Sequence, residues 1–144
     1  MSLEIGQIRR RVQARLTDIK RAAAGRREKV SAAERAFEPF LSNVAFPTLS
    51  AVAQSLSAEG YPYKVTTPLG AVRMTSDRSR RTYVEIRLDT AGAEPQVIAE
   101  MGRERGSHVF TDERPVAATT PIEAISDEQV LADLLDLLPE LIER

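Results

Sequence analysis

Residues 82–89, TYVEIRLD, alternate polar and apolar side chains without a fault, and this constrains the fold more than any other stretch. Successive side chains of a strand point to opposite faces, so Val84, Ile86 and Leu88 face one way and Tyr83, Glu85, Arg87 and Asp89 the other. A strand apolar on one side and charged on the other needs a covering layer on one side only. That suits an antiparallel sheet, because parallel sheets are buried on both faces. The flanking segments agree. Tyr63 to Thr67 and Ala71 to Thr75 bracket the turn PLG, SDRSR and TAGAEP read as turns, and QVIAEM reads as a strand. GRERG reads as a further turn before SHVFTDE, with VAATT as a marginal last strand. Residues 61–120 are thus expected to form a meander of about five strands.

Helices must cover that sheet. Residues 126–144 begin with Ser126 and Gln129, the spacing of a capping box. Val130, Leu131, Leu134, Leu135, Leu137, Leu138, Leu141 and Ile142 then span an arc of about 160°, with Asp133, Asp136, Glu140 and Glu143 opposite. Pro139 lacks an N–H and is expected to kink this helix, freeing the Leu135 carbonyl. At the other end, Ile5, Ile8, Val12, Leu16, Ile19 and Ala23 recur every three or four residues, a stripe within about 80° of arc. Arg15 breaks the heptad, and Gly25 is expected to weaken or end this first helix, which occupies 1–29. In 30–60 one apolar face (Ala33, Phe37, Phe40, Leu41, Val44) gives way to another (Leu49, Val52, Ala53, Leu56), rotated by roughly 100°. A kinked segment is expected, broken at Pro39 or Pro47 and closed by Gly60. The expectation is one α+β domain of 144 residues: N-terminal amphipathic helices, an antiparallel meander of about five strands, and a C-terminal amphipathic helix packed on the sheet.

The formal net charge of −1 conceals a polarised chain. Residues 1–35 carry ten basic and four acidic side chains, whereas 116–144 carry seven acids and only Arg144. No uncompensated overall field draws the chain to nucleic acid or to an anionic membrane. Cysteine is absent, which removes disulfides, thiolate metal sites and cysteine nucleophiles and fits a cytoplasmic protein. No apolar run reaches the roughly 18 residues of a membrane span.

Catalytic motifs are missing: no P-loop, G-x-G-x-x-G, H-E-x-x-H or G-x-S-x-G occurs. No catalytic, cofactor-binding or metal-binding residue is therefore assigned and no cofactor is expected. The single histidine, His108, sits among Ser107, Asp112 and several charges, but neighbouring strand residues point to opposite faces, so it reads as a strand-rim side chain. Glu85 and Arg87 read as a solvated sheet face crossed by ion pairs. Arg9, Arg10, Arg11 and Arg15 are a candidate phosphate grip. Nevertheless they lie on nearly every side of the helix outside the stripe, and no aromatic residue precedes Phe37 to stack on a base, so nucleic acid is not favoured. The stripe Ile5, Ile8, Val12, Leu16 and Ile19 requires a cover.

The leading expectation is a non-enzymatic assembly or adaptor domain that acts through protein contacts, as a homodimer or with another protein. In such a dimer the basic helix can also meet the acidic C-terminal helix of a second copy. The order of elements resembles that of helix-grip folds. That resemblance implies the alternative of an apolar ligand held between sheet and helix, as an analogy of architecture alone.

Overall fold

A computed structural model describes residues 2–142, so Glu143 and Arg144 of the expected acidic helix lie outside the described residues. The chain is an α+β fold. Helix α1 (Ile5–Phe40) passes through a π turn (Leu41–Ala45) directly into α2 (Phe46–Ala58). Strands β1 (Tyr63–Thr66), β2 (Ala71–Ser76), β3 (Tyr83–Asp89), β4 (Gln96–Arg105) and β5 (His108–Pro115) follow, and α3 (Asp127–Ile142) ends the described chain. The sheet is an open antiparallel meander in the order β1-β2-β3-β4-β5.

The register puts Val65, Met74, Val84 and Met101 in one row and Val72, Ile86 and Ala99 in the next, all on the face that the helices cover. Met74, Val84, Val72 and Ile86 are buried there against Leu49, Val52, Leu56, Leu134 and Leu137 in one apolar cluster. Helix α2 packs over β1 and β2, and α3 over β4. The expected split of TYVEIRLD is observed, with Val84 and Ile86 buried and Leu88 packed at the edge of the cluster. Tyr63, whose side chain points into the core, donates its hydroxyl to the Leu141 carbonyl at 2.8 Å and so ties β1 to the end of α3.

Four local expectations are corrected. Gly25 does not interrupt α1, which runs 36 residues through it and through Pro39. A single helical glycine costs only about 1 kcal/mol, too little by itself to end a helix braced just beyond it at Arg26 and Lys29. The 100° change of apolar phase is real, but neither Pro39 nor Pro47 breaks the rod. Instead the Phe46 N–H donates to the Leu41 carbonyl, five residues back. A π turn inserts one residue, and one residue is about 100° of rotation. Pro47 has no N–H for the Asn43 carbonyl, which favours the wider turn before it. Taking out that residue aligns Leu49, Val52 and Leu56 with Phe37 and Phe40. The stripe, the Phe37–Phe40 face and the Leu49–Leu56 face therefore lie along one side of the rod, which is about 80 Å long, with Arg26 between the first two. Likewise α3 continues through Pro139 to Ile142.

A further correction concerns GRERG. Strand β4 extends to Arg105, and the turn is only Gly106–Ser107, with Gly106 at φ 63°. A two-residue hairpin loop needs a left-handed first residue when its second is not left-handed, and glycine supplies it without strain. The marginal strand VAATT is not formed. The capping box is: the Gln129 N–H donates to Ser126 Oγ at 3.2 Å, and the Ser126 N–H donates to Gln129 Oε1 at 2.9 Å.

Candidate assembly surface

The sheet reaches α1 only at its C-terminal end. Arg26 donates to the Thr90 carbonyl at 2.8 Å, and Lys29 pairs with Glu94 at 2.7 Å, so the β3–β4 loop braces the helix there. From Ile5 to Gly25 the helix continues for about 30 Å without a covering element. Ile5 is 84% exposed, and Ile8, Val12, Leu16 and Ile19 lie between 45 and 52%. These five prolong the core-facing side of the rod beyond the sheet that covers the rest of it. Arg9, Arg10, Arg11 and Arg15 flank the stripe, exposed, and make no ion pair with another described residue. At the tip, the Glu4 N–H is met by Gln7 Oε1 at 3.3 Å.

Helix α3 explains its wide apolar arc. Val130, Leu134, Leu137 and Leu141 are buried on the sheet, while Leu131 and Leu135 turn outward and are 38% and 51% exposed. They form one wall of an apolar groove of about 580 Å³ whose other wall is the α2 row Pro47, Ala51 and Ser55. Glu59, Asp127 and Glu128 stand at one end of it, where α2 stops and α3 starts. No residue of the sheet lines this groove. Val72, Met74, Val84, Ile86, Leu134 and Leu137, where a helix-grip ligand would sit, are packed in the core cluster.

Glu85 and Arg87 belong to a polar lattice on the sheet face opposite the helices, where Glu85 is nonetheless buried between Arg73 and Arg87. Arg73 Nε bonds Glu85 at 3.0 Å, and its guanidinium carbon lies 4.0 Å over the Tyr83 ring. Arg87 Nη2 donates to Glu100 at 3.0 Å and to Glu113 at 2.8 Å. The Tyr83 hydroxyl donates to Glu100. That hydroxyl, with Arg87 beside it, holds the Glu100 carboxyl below the usual carboxylate range. Burial and the bond to Glu100 push Tyr83 up to about 12, and burial alone does the same for Tyr63. Burial works against the Arg87 charge, but Glu100, Glu113 and Glu85 outweigh it and raise its guanidinium further. The partners lie on β2, β3, β4 and β5, with Arg87 reaching across β4 to Glu113, so the ion pairs are cross-strand, but the row is not the solvated one expected, because Glu85 is buried among them at 8% exposure.

His108 stands apart from that lattice. It is on edge strand β5, on the other face of the sheet, with its ring centroid 6.4 Å from that of Phe110. Asp112 shares its face but lies four residues along the strand, about 13 Å away, so the two cannot form a catalytic hydrogen bond. Among the described residues no cluster of His, Asp or Glu suits a metal ion, and no helix is long and apolar enough to cross a membrane. The structure thus brings Glu85 and Arg87 together, leaves His108 at the rim, and leaves the α1 stripe and its arginines in solvent. The groove was not foreseen. Its signals were the excess width of the α3 arc and the small-residue row at spacing four on α2.

The molecule is therefore an open antiparallel meander, helix-covered on one face, with an overhanging basic helix. Comparison of this chain with protein-family models, with curated proteins and with solved structures gave no match.

Proposed function

We propose that the protein is a non-enzymatic assembly module in which the α1 stripe is covered by a second copy of the chain. The observation that carries this reading is the row Ile5, Ile8, Val12, Leu16 and Ile19, exposed on a helix that leaves its own sheet behind. An apolar side chain of this kind gains about 1.5–3 kcal/mol on full burial. Five of them half-covered leave several kcal/mol available to association, while the same exposure in a monomer favours aggregation. The polarity of charge supports self-association, because the basic end of one copy meets an acidic end in another. Such pairing steers encounter and orientation more than it adds affinity.

Light scattering coupled to size separation tests the reading at low and high salt. A dimer or larger assembly that loosens as salt rises is expected, since screening weakens exposed charge pairs. A monomer at both salts, across micromolar concentrations, removes the proposal.

A further inference from the structure

Resting on that reading, we infer that the α1 stripe of one copy seats in the α2–α3 groove of the next, with its N-terminal end at the acidic end of the groove. Among the described residues the α1 stripe and the α2–α3 groove are both unpartnered apolar surfaces, and each has the form the other needs. The stripe is a convex ridge of large aliphatic side chains running about 21 Å from Ile5 to Ile19. The groove is concave, about 17 Å long, with small side chains on the α2 wall and Leu131 and Leu135 on the α3 wall. A ridge entering the channel between two helices is how a third helix joins a pair.

Charge chooses this occupant over another α1. Pairing two α1 stripes sets Arg9, Arg10, Arg11 and Arg15 against the same four residues, with Asp18 the one acid in that stretch. Like charges across a helix pair are destabilising. The groove instead offers Glu59, Asp127 and Glu128 at one end. Asp127 and Glu128 already suit the first turn of α3 by the helix dipole, so their presence alone implies no partner. What points to one is that they border an open apolar channel. Arg9 to Arg11 set three consecutive cations toward the N-terminal end of the stripe, beyond Glu4, whereas at the other end Asp18 is interspersed with Arg15, Lys20 and Arg21. Hence the incoming helix runs parallel to α3 and antiparallel to α2.

The chain has no cysteine, so introduced thiols report contacts directly. The single variants Val12→Cys and Leu131→Cys are mixed at equal concentration and oxidised, with light scattering on the same samples before oxidation. A mixed disulfide between the two variants, exceeding either self-linked product at least ten-fold, is expected. Predominant self-linkage of Val12→Cys in an assembled sample overturns the groove and leaves the assembly reading intact. A monomer without cross-links overturns both. A second arm uses charge. Reversal of Glu59 and Glu128 to Lys weakens association about ten-fold or more, and adding Arg9→Glu and Arg10→Glu to the same chain restores it. Failure of that restoration, with all variants folded by circular dichroism, also refutes the inferred seat.

Discussion

Gly102 is the position where one added carbon does most. It pairs with Tyr83 across β3 and β4, and an ideal Cβ there lies 2.3 Å from Tyr83 Cε1, 2.8 Å from Cδ1 and 2.9 Å from the Arg81 carbonyl. Carbon atoms pack at roughly 3.5–4.0 Å, so Gly102→Ala moves the ring by about 1 Å or more. The ring has nowhere neutral to go, because the Tyr83 hydroxyl is bound to Glu100 and the Arg73 guanidinium lies over its face. Losing a hydrogen bond to a carboxylate costs about 1.5–3 kcal/mol, and an exposed cation–π contact about 0.5–1 kcal/mol. Alanine recovers about 0.5–1 kcal/mol over glycine in a strand. The net expectation is a destabilisation of about 2 kcal/mol, or roughly a 1 M drop in the urea midpoint for a slope near 2 kcal/mol/M. The same variant should bring the Tyr83 phenol, now near 12, back toward its ordinary value, read by phenolate absorbance. A variant that unfolds at the wild-type midpoint with its tyrosine titration unchanged would show that the close approach of Gly102 and Tyr83 is not structural.

Other perturbations have equally direct readouts. Val12→Asp leaves the monomer fold intact, since the side chain touches only its own helix, but removes half a buried valine from each partner. That loss, about 2 kcal/mol over two copies, weakens a dimer roughly thirty-fold in sedimentation, and an unchanged dissociation constant would place the interface elsewhere. Tyr63→Phe strands the Leu141 carbonyl and costs about 1–2 kcal/mol in urea unfolding. Deleting Ser42 turns the π turn into ordinary α-helix without rotating either apolar face, so stability by thermal melting changes within about 1 kcal/mol; unfolding of that variant would refute the insertion account. With pH, Tyr63 and Tyr83 stay protonated in the native state up to about 12 and ionise near 10 when unfolded. Their contribution is therefore complete below pH 10 and lost as pH rises toward 12. Glu100 acts with the opposite sign, its contribution present above the ordinary carboxylate range and lost on acidification.

The sheet was legible because its period is two and its turns are marked. TYVEIRLD marks Val84 and Ile86 as core but not the burial of Glu85, which depends on the arginines that β2 and β3 bring beside it, and Ser126 with Gln129 marks the start of α3. The corrections fall where a local rule met a tertiary context. Gly25 and Pro39 are poor helix residues, yet the helix runs through both: Pro39 lies between the brace at Arg26 and Lys29 and the buried Phe40, while Gly25 costs only about 1 kcal/mol at the edge of that braced half. GRERG contains two glycines of different use: Gly102 makes room for the Tyr83 ring, and Gly106 makes the turn. Composition cannot separate those uses, because the first depends on which strand lies opposite. The polar lattice was half legible, since Glu85 and Arg87 share a strand while Arg73, Glu100 and Glu113 reach them only through register.

The phase change in the long rod ties sequence to assembly. Without the π turn, the Ile5–Ile19 stripe and the Leu49–Leu56 face would point about 100° apart, and the overhang would face away from the layer that covers its own core. With the extra residue absorbed, the stripe overhangs on the sheet side, beyond the brace at Arg26 and Lys29. In the proposed assembly a second copy meets an apolar ridge of about 21 Å flanked by Arg9, Arg10, Arg11 and Arg15, and offers it a groove of about 17 Å. The lone histidine is elsewhere, at the rim of β5, with Phe110 for company. What distinguishes this chain is thus one added residue of helix, which decides the side on which an uncovered surface is offered.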